Sequence, residues 1–184
     1  MRRFAVPGLI TLVAAALLAV LAFGLSHSGP STTLDGEVAS GHFPLEPSAH
    51  LALPLLGTKK TETLADLRGH YVMIDFSAGW CDACQQDAGV VANAQRLLEK
   101  DGGTVLGVTF QDSTTDAENY MRQYHLDYPV LQDANGQLAT AYGVDGVPET
   151  FVVNPEGKVV LLRRYQLTQK WVDTSLTRAL SGAA

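Results

Sequence analysis

The sequence predicts an α/β domain in which a central mixed β-sheet is covered by helices on both faces. Short apolar segments rich in β-branched residues alternate with segments of helical periodicity, which gives a β-α-β-α order. A hairpin around the turn Asn154-Pro155-Glu156-Gly157 and a final amphipathic helix follow this alternation. The two cysteines, Cys81 and Cys84, lie where a predicted strand ends and a predicted helix begins.

The N-terminal segment, residues 1–25, is predicted to be a transmembrane anchor or a signal peptide. Arg2 and Arg3 precede 22 uncharged residues, enough to span a bilayer as a helix at about 1.5 Å per residue. A signal peptide cleaved near Ala22-Phe23-Gly24 is the alternative, but the length of the apolar run favours a retained anchor. The two arginines place the rest of the chain outside the cytoplasm in both cases. Disulfides persist there, so a dithiol must be actively reduced before it can act as a reductant.

Residues 26–45 are rich in Ser, Gly, Thr and Pro and are predicted to be a flexible linker, which leaves residues 46–184 for one globular domain. Once Arg2 and Arg3 are set aside, 11 basic residues remain against 19 acidic ones, and no basic run occurs. This acidic balance argues against a nucleic-acid-binding protein.

Local signals delimit the elements of the domain in chain order. The predicted strands cover residues 51–53, 61–63, 71–77, 104–110, 128–131, 150–153 and 158–164. The predicted helices cover residues 64–67, 85–100, 115–124, 137–142 and 168–180. The apolar stripes that support the long helices are formed by Ala88, Val91, Ala94 and Leu98, by Ala117, Met121 and Tyr124, and by Trp171, Val172, Leu176 and Ala179. Gly102-Gly103 is predicted to end the second helix, and a capping box from Thr115 to Glu118 to begin the third.

The Cys81-x-x-Cys84 pair favours redox chemistry. Free backbone N–H groups and the helix dipole stabilise a thiolate at Cys81, and Cys84, one turn into the helix, is suited to resolve a mixed disulfide. A purely structural disulfide is an alternative, but closing four residues contributes only about 2 kcal/mol. A zinc site is another alternative, but the chain has no further cysteine and its five histidines show no matching spacing.

Two acidic residues near the cysteines are candidate proton carriers. Asp75 lies inside an apolar strand, where a buried carboxyl could accept the proton of Cys84 during resolution. Strand alternation could instead turn Asp75 to solvent. Asp87 follows Cys84 by one helical turn and could equally be a solvated surface charge.

The Trp80-Cys81-x-x-Cys84 segment after a strand, together with Gly146-Val147-Pro148-Glu149-Thr150-Phe151, resembles the thioredoxin fold. More closely, the chain resembles the membrane-anchored TlpA/ResA/CcmG (DsbE) thiol–disulfide oxidoreductases, which Leu64-Ala65-Asp66-Leu67-Arg68-Gly69 also fits. The resemblance implies reduction of disulfides outside the cytoplasm without a cofactor, typically those of apocytochrome c. It also implies an electron donor in the membrane of the CcdA or DsbD type.

The resemblance also implies roles for individual residues. Asp87 takes the position of the family's active-site acid. Pro148 is expected to be a cis-proline that lets the backbone of Val147 pair with an extended substrate, although a trans proline at an edge strand is the alternative. Trp80 is expected to form a platform beside the sulfurs, with ordinary packing as the alternative.

The leading functional hypothesis is a reductase of protein disulfides at the extracytoplasmic face of the cell membrane, or secreted if the leader is cleaved. Asp75, Asp82 and Asp87 lie near the cysteines, and no Lys, Arg or His occurs between Asp75 and Arg96. This negative charge opposes a highly stabilised thiolate and predicts a reducing couple. A disulfide oxidase or isomerase, or a non-enzymatic metal carrier, would use the same cysteines, whereas the peroxiredoxin pattern would need Thr at Ala78.

Overall fold

The computed structural model describes residues 13–19 and 33–182, which fall in two compact units, residues 1–30 and 31–184. In the first unit, residues 13–19 are helical. Within these two described ranges, no helix has the length and apolarity needed to cross a membrane. Most of the segment predicted as an anchor or signal peptide, residues 1–25, lies outside the described residues.

The second unit is built on a five-stranded mixed sheet, and a central mixed sheet was predicted. Its strands are β3 (Val72–Ser77), β4 (Thr104–Thr109), β5 (Val130–Gln132), β6 (Glu149–Val153) and β7 (Val159–Arg163). Their order across the sheet is β5-β4-β3-β6-β7. β3, β4 and β5 are parallel, whereas β6 is antiparallel to both β3 and β7. A separate pair, β1 (Leu53–Pro54) and β2 (Thr61–Glu62), forms a small hairpin. The cysteines therefore follow the central strand of the large sheet.

Helices lie on both faces of this sheet, and successive side chains of β3 point into the two cores that these helices cover. The helices are α1 (Thr33–Ala39), α2 (Asp82–Leu98), α3 (Thr114–Gln123) and α4 (Gln137–Tyr142), followed by a C-terminal helix, α5, formed by Gln169–Trp171, a π-helical segment Val172–Leu176 and Thr177–Leu180. Ile74 and Phe76 pack with α1 and α4. Met73 packs with α2, α3 and α5.

The predicted apolar stripes of α2 and α5 are confirmed. Ala88, Val91, Ala94 and Leu98 are all at most 1% exposed, and the four stripe residues of α5 are buried as well. Helix α2 runs into a 3-10 turn, Glu99–Asp101, that ends at Gly102. Gly102 has a φ of +73°, a left-handed conformation that glycine adopts at little cost.

The segment predicted as a flexible linker, residues 26–45, is in part folded, and the prediction was wrong for residues 33–45. Residues 33–39 form α1, and Leu34 is buried in the core. The backbone of Glu46 then pairs with Gly157 beside β7. The composition concealed this helix because only Leu34, Val38 and Ala39 are apolar, and the burial of Leu34 and Val38 depends on strands more than 100 residues away. Residues 26–32 lie outside the described residues.

The N-cap of helix α3 lies two residues before Thr115, where the predicted capping box, Thr115–Glu118, would place it. The N-cap is Ser113, whose Oγ accepts a hydrogen bond from the backbone N–H of Asp116 at 3.0 Å and donates to its carboxylate at 2.7 Å. Ala117 is buried as predicted, and Tyr120 is the other buried residue of α3, while Met121 and Tyr124 are only partly buried.

Candidate active site

The two cysteines form a disulfide at the N-terminus of α2. The Sγ atoms are 2.19 Å apart and the Cα atoms 5.2 Å apart. Cys81 is the N-cap of the helix, and the backbone N–H of Cys84 donates a hydrogen bond to Cys81 Sγ at 3.0 Å. Both residues are buried, Cys84 the more completely. In the reduced protein this N–H would stabilise a Cys81 thiolate.

The loop that carries Pro148 lies against the disulfide. The Val147–Pro148 peptide bond is cis, as the family resemblance implied, so the alternative of a trans proline was wrong. The carbonyl oxygen of Val147 lies 3.6 Å from Cys81 Sγ. Val147 is partly exposed and packs with Ala78 and Ala83 around the cysteines. A backbone in this position can pair with an extended segment beside the sulfurs.

Trp80 projects from the site, and ordinary packing does not describe it, because 56% of the residue is exposed. Its Nε1–H donates to the carbonyl of Gln111 at 3.1 Å. The backbone N–H of Gly79 donates to Asp112 Oδ2 at 2.7 Å, a contact that the sequence analysis missed. A Cβ at position 79 would lie 2.8 Å from the carbonyl oxygen of Asp116, so only glycine allows this close approach. The segment before Cys81 is thus held against the loop that follows β4.

Asp75 is buried in the central strand β3, in register with Gly107 on one side and Thr150 on the other. The alternative that strand alternation turns it to solvent was therefore wrong. Burial raises the pKa of Asp75 to about 7, with a further rise from the charge of Asp87. The hydroxyl of Thr150 donates to Asp75 Oδ1 at 3.2 Å and opposes that rise. Asp75 can therefore exchange a proton near neutral pH.

Asp87 is also buried, so the interpretation as a solvated surface charge was wrong. Its Oδ2 accepts a hydrogen bond from the backbone N–H of Leu167 at 2.7 Å. Burial raises the pKa of Asp87, while this hydrogen bond and the charge of Arg163 lower it. The sequence analysis found no cation between Asp75 and Arg96, but the fold brings Arg163 from β7 to this side of the site.

Side chains from outside the Cys-x-x-Cys segment bind its backbone, and sequence reasoning did not identify them. Tyr120 Oη donates to the carbonyl of Cys84 at 3.0 Å. Gln166 Nε2 donates to the carbonyl of Ala83 at 3.3 Å. Each partner is dozens of residues away along the chain, so no local pattern could have indicated these contacts.

An open groove of about 580 Å³ lies beside the disulfide. One wall is the loop that contains Val147 and Pro148, and the other is formed by residues 163–166, with Ala83 from the Cys-x-x-Cys segment also contributing. Tyr165 on the second wall is 77% exposed. An extended polypeptide in this groove would lie beside the backbone of Val147, whose carbonyl oxygen is 3.6 Å from Cys81 Sγ.

The fold and the site define a thioredoxin-like protein with a Cys-x-x-Cys disulfide at a helix N-terminus. Residues 47–162 match the AhpC/TSA family, and the chain therefore belongs to that family. The sequence is similar to the thiol-disulfide oxidoreductase ResA of Bacillus subtilis, with 32% identity over 109 residues, covering 59% of this chain and 61% of ResA. It is also similar to the thiol:disulfide interchange protein HelX of Rhodobacter capsulatus, with 27% identity over 171 residues, covering 84% of this chain and 95% of HelX.

Among solved structures, a DsbE-type thiol:disulfide interchange protein from Chlorobium tepidum aligns with a TM-score of 0.65 and 27% identity, covering 77% of this chain and 99% of that protein. Peroxiredoxin Q from Xanthomonas campestris aligns with a TM-score of 0.65 at 23% identity, which shows the shared fold alone. The expected family resemblance is thus confirmed.

Proposed function

We propose that this protein is an extracytoplasmic thiol–disulfide oxidoreductase that reduces disulfides of substrate proteins. The observation that carries the proposal is the hydrogen bond from the Cys84 N–H to Cys81 Sγ at the start of α2. It supplies a donor for a thiolate at Cys81, the sulfur beside the open groove. ResA, HelX and DsbE, to which the chain is similar, are named thiol–disulfide oxidoreductases or interchange proteins.

The reaction begins with the reduced dithiol. The Cys81 thiolate attacks one sulfur of the substrate disulfide, and the other substrate sulfur leaves as a thiolate that takes up a proton. Cys84 then loses its proton, and its sulfur attacks Cys81, which forms the Cys81–Cys84 disulfide and releases the second substrate thiol. Two electrons pass from the protein to the substrate, so a reductant must restore the dithiol.

Asp75 is the proposed proton acceptor for Cys84 in the second step. A carboxyl with a pKa of about 7 is present in both protonation states near neutral pH, so it can take up a proton and release it again. Asp87, which is buried and accepts a hydrogen bond from the backbone of Leu167, provides a second carboxyl whose charge acts on Asp75. Val147, Pro148 and Trp80 are proposed to hold the substrate segment.

The reduction potential of the Cys81–Cys84 pair sets the direction in which electrons pass between this protein and its substrates. Buried carboxyls near the sulfurs disfavour a strongly stabilised thiolate, and a weakly stabilised thiolate makes the couple reducing. We expect a reduction potential closer to the value of about −270 mV for thioredoxin than to that of about −120 mV for DsbA. Equilibration with dithiothreitol and glutathione buffers measures it, and a potential above about −180 mV would show an oxidase or isomerase instead.

The proposed location is the outer face of the cell membrane, through residues 1–25 as a single-pass anchor, or secretion after cleavage. The proposed partners are disulfide-bearing proteins, with apocytochrome c as the implied example, and a CcdA- or DsbD-type membrane donor. Replacing Cys84 with Ser and identifying the proteins held on Cys81 as mixed disulfides tests the substrates. A metal titration of the reduced protein tests the carrier alternative: stoichiometric binding by Cys81 and Cys84 would favour it.

A further inference from the structure

Arg164, the residue that follows β7, contacts α1, the end of α4 and β6 through one guanidinium group. Its Nε and Nη2 atoms donate to the carboxylate of Asp35 in α1, at distances of 2.6 to 3.2 Å. Its Nη1 donates to the carbonyl oxygens of Tyr142 and Gly143, both at 3.2 Å, and to the carboxylate of Glu149. The guanidinium carbon also lies 4.9 Å from the centre of the Phe151 ring.

These contacts enclose the loop that faces the disulfide. Residues 144–148, which we name the 144–148 loop, connect the end of α4 to the start of β6. Tyr142 and Gly143 lie at one end of the loop, and Glu149 follows Pro148 at the other. Arg164 therefore holds both ends of the segment that carries Val147.

Asp35 controls the orientation of this guanidinium. A guanidinium is planar, with five N–H groups in fixed directions. When Asp35 accepts from Nε and Nη2, the plane is fixed, and Nη1 is directed at the ends of the 144–148 loop. Arg164 and Asp35 have side-chain exposures of 17% and 30%, so the pair is largely shielded from solvent.

We infer that Asp35 is a positioning residue for the 144–148 loop, acting through Arg164, so that α1 forms part of the apparatus that recognises protein substrates. Without the Asp35 carboxylate the guanidinium can rotate, and the backbone of Val147 loses a fixed position beside Cys81. A protein substrate that pairs with this backbone would then bind less well. A small disulfide that needs only the sulfurs would react at an unchanged rate. The inference rests on the proposed reduction of protein disulfides.

The test uses the full chain with Asp35→Asn and, as the matched control, Glu37→Gln, which removes the same charge from the same helix. Insulin serves as the protein substrate and bis(2-hydroxyethyl) disulfide as the small one, with dithiothreitol as the reductant. We expect Asp35→Asn to raise KM for insulin about three- to fivefold, the effect of losing a partly exposed ion pair, with kcat and the small-disulfide rate unchanged. Arg164→Lys, which keeps the charge but not the planar group, should raise this KM at least as much.

Amide hydrogen exchange provides a readout that does not depend on activity. The amides of Gly146 and Val147 should exchange faster in Asp35→Asn than in the wild type and in Glu37→Gln. Asp35→Asn with the KM for insulin and the amide exchange rates of the wild type would overturn the inference and leave the proposed function standing. An equal loss of rate with insulin and with the small disulfide would have the same meaning. If the wild-type protein reduces neither insulin nor the small disulfide, the proposed function fails, and the exchange measurement alone decides whether Asp35 positions the loop.

Discussion

Replacing Asp75 with Asn tests whether the buried carboxyl of β3 ionises near neutral pH in the native protein. In the native state its pKa is about 7, against an ordinary value of 3.8. The native protein therefore holds the proton more tightly than the unfolded chain, and stability falls as the pH rises through this window. The pKa difference corresponds to a cost of up to about 4 kcal/mol, absent below about pH 4 and complete above about pH 7.

The Asn side chain retains the acceptor for the Thr150 hydroxyl and cannot ionise. Asp75→Asn should therefore match the wild type in stability near pH 4 and exceed it increasingly up to pH 8, by as much as about 4 kcal/mol. Urea unfolding of the oxidised proteins at pH 4, 6 and 8 measures the free energies. Asp87 keeps its carboxyl in both proteins, so only its electrostatic coupling to Asp75 enters the difference.

The control for this prediction is Asp82→Asn. Asp82 lies between the cysteines and is exposed, so its replacement removes one negative charge without changing a buried group. Its free energy of unfolding should follow the wild-type pH dependence. Parallel curves for Asp75→Asn and the wild type between pH 4 and 8 would refute the argument, because they would show that Asp75 pays no cost for ionising in the native state.

The roles of the two cysteines, of Asp75 and of the N-cap of α3 can each be tested separately. Iodoacetamide at neutral pH should modify Cys81 of the reduced protein much faster than Cys84, since Cys81 is the more exposed and receives the backbone N–H; faster labelling of Cys84 would reverse the proposed roles. In rapid-mixing experiments, Asp75→Asn should slow resolution of the mixed disulfide and leave the first attack nearly unchanged, whereas wild-type kinetics would limit this residue to a structural role. Ser113→Ala should reduce the free energy of unfolding by about 1 kcal/mol, and Thr115→Ala by less than about 0.5 kcal/mol; the reverse order would contradict the N-cap assignment.

Most of the fold could be predicted because its signals are local. The apolar stripe of α2, the left-handed Gly102 after it and the Asn154–Gly157 turn each depend on residues within a few positions of one another. The strand-to-helix position of the cysteines depends only on the segments directly before and after them. The N-cap of α3 was predicted two residues late because Ser113 and Thr115 both precede an acidic residue at the spacing of a cap, and only the backbone geometry selects between them.

The order of the elements and the chemistry of the Cys-x-x-Cys pair follow from the sequence, because these depend on neighbouring residues. Which side chains surround that pair depends on the folded chain, since burial and electrostatics involve segments far apart in the sequence. Asp75 and Asp87 could each have faced solvent, and packing against the sheet and against Leu167 is what buried them. Asp35 meets Arg164 across 129 positions, a contact that no local pattern indicates. That is why α1, with three apolar residues and low intrinsic helix stability, was predicted as a linker and is instead a folded part of the domain.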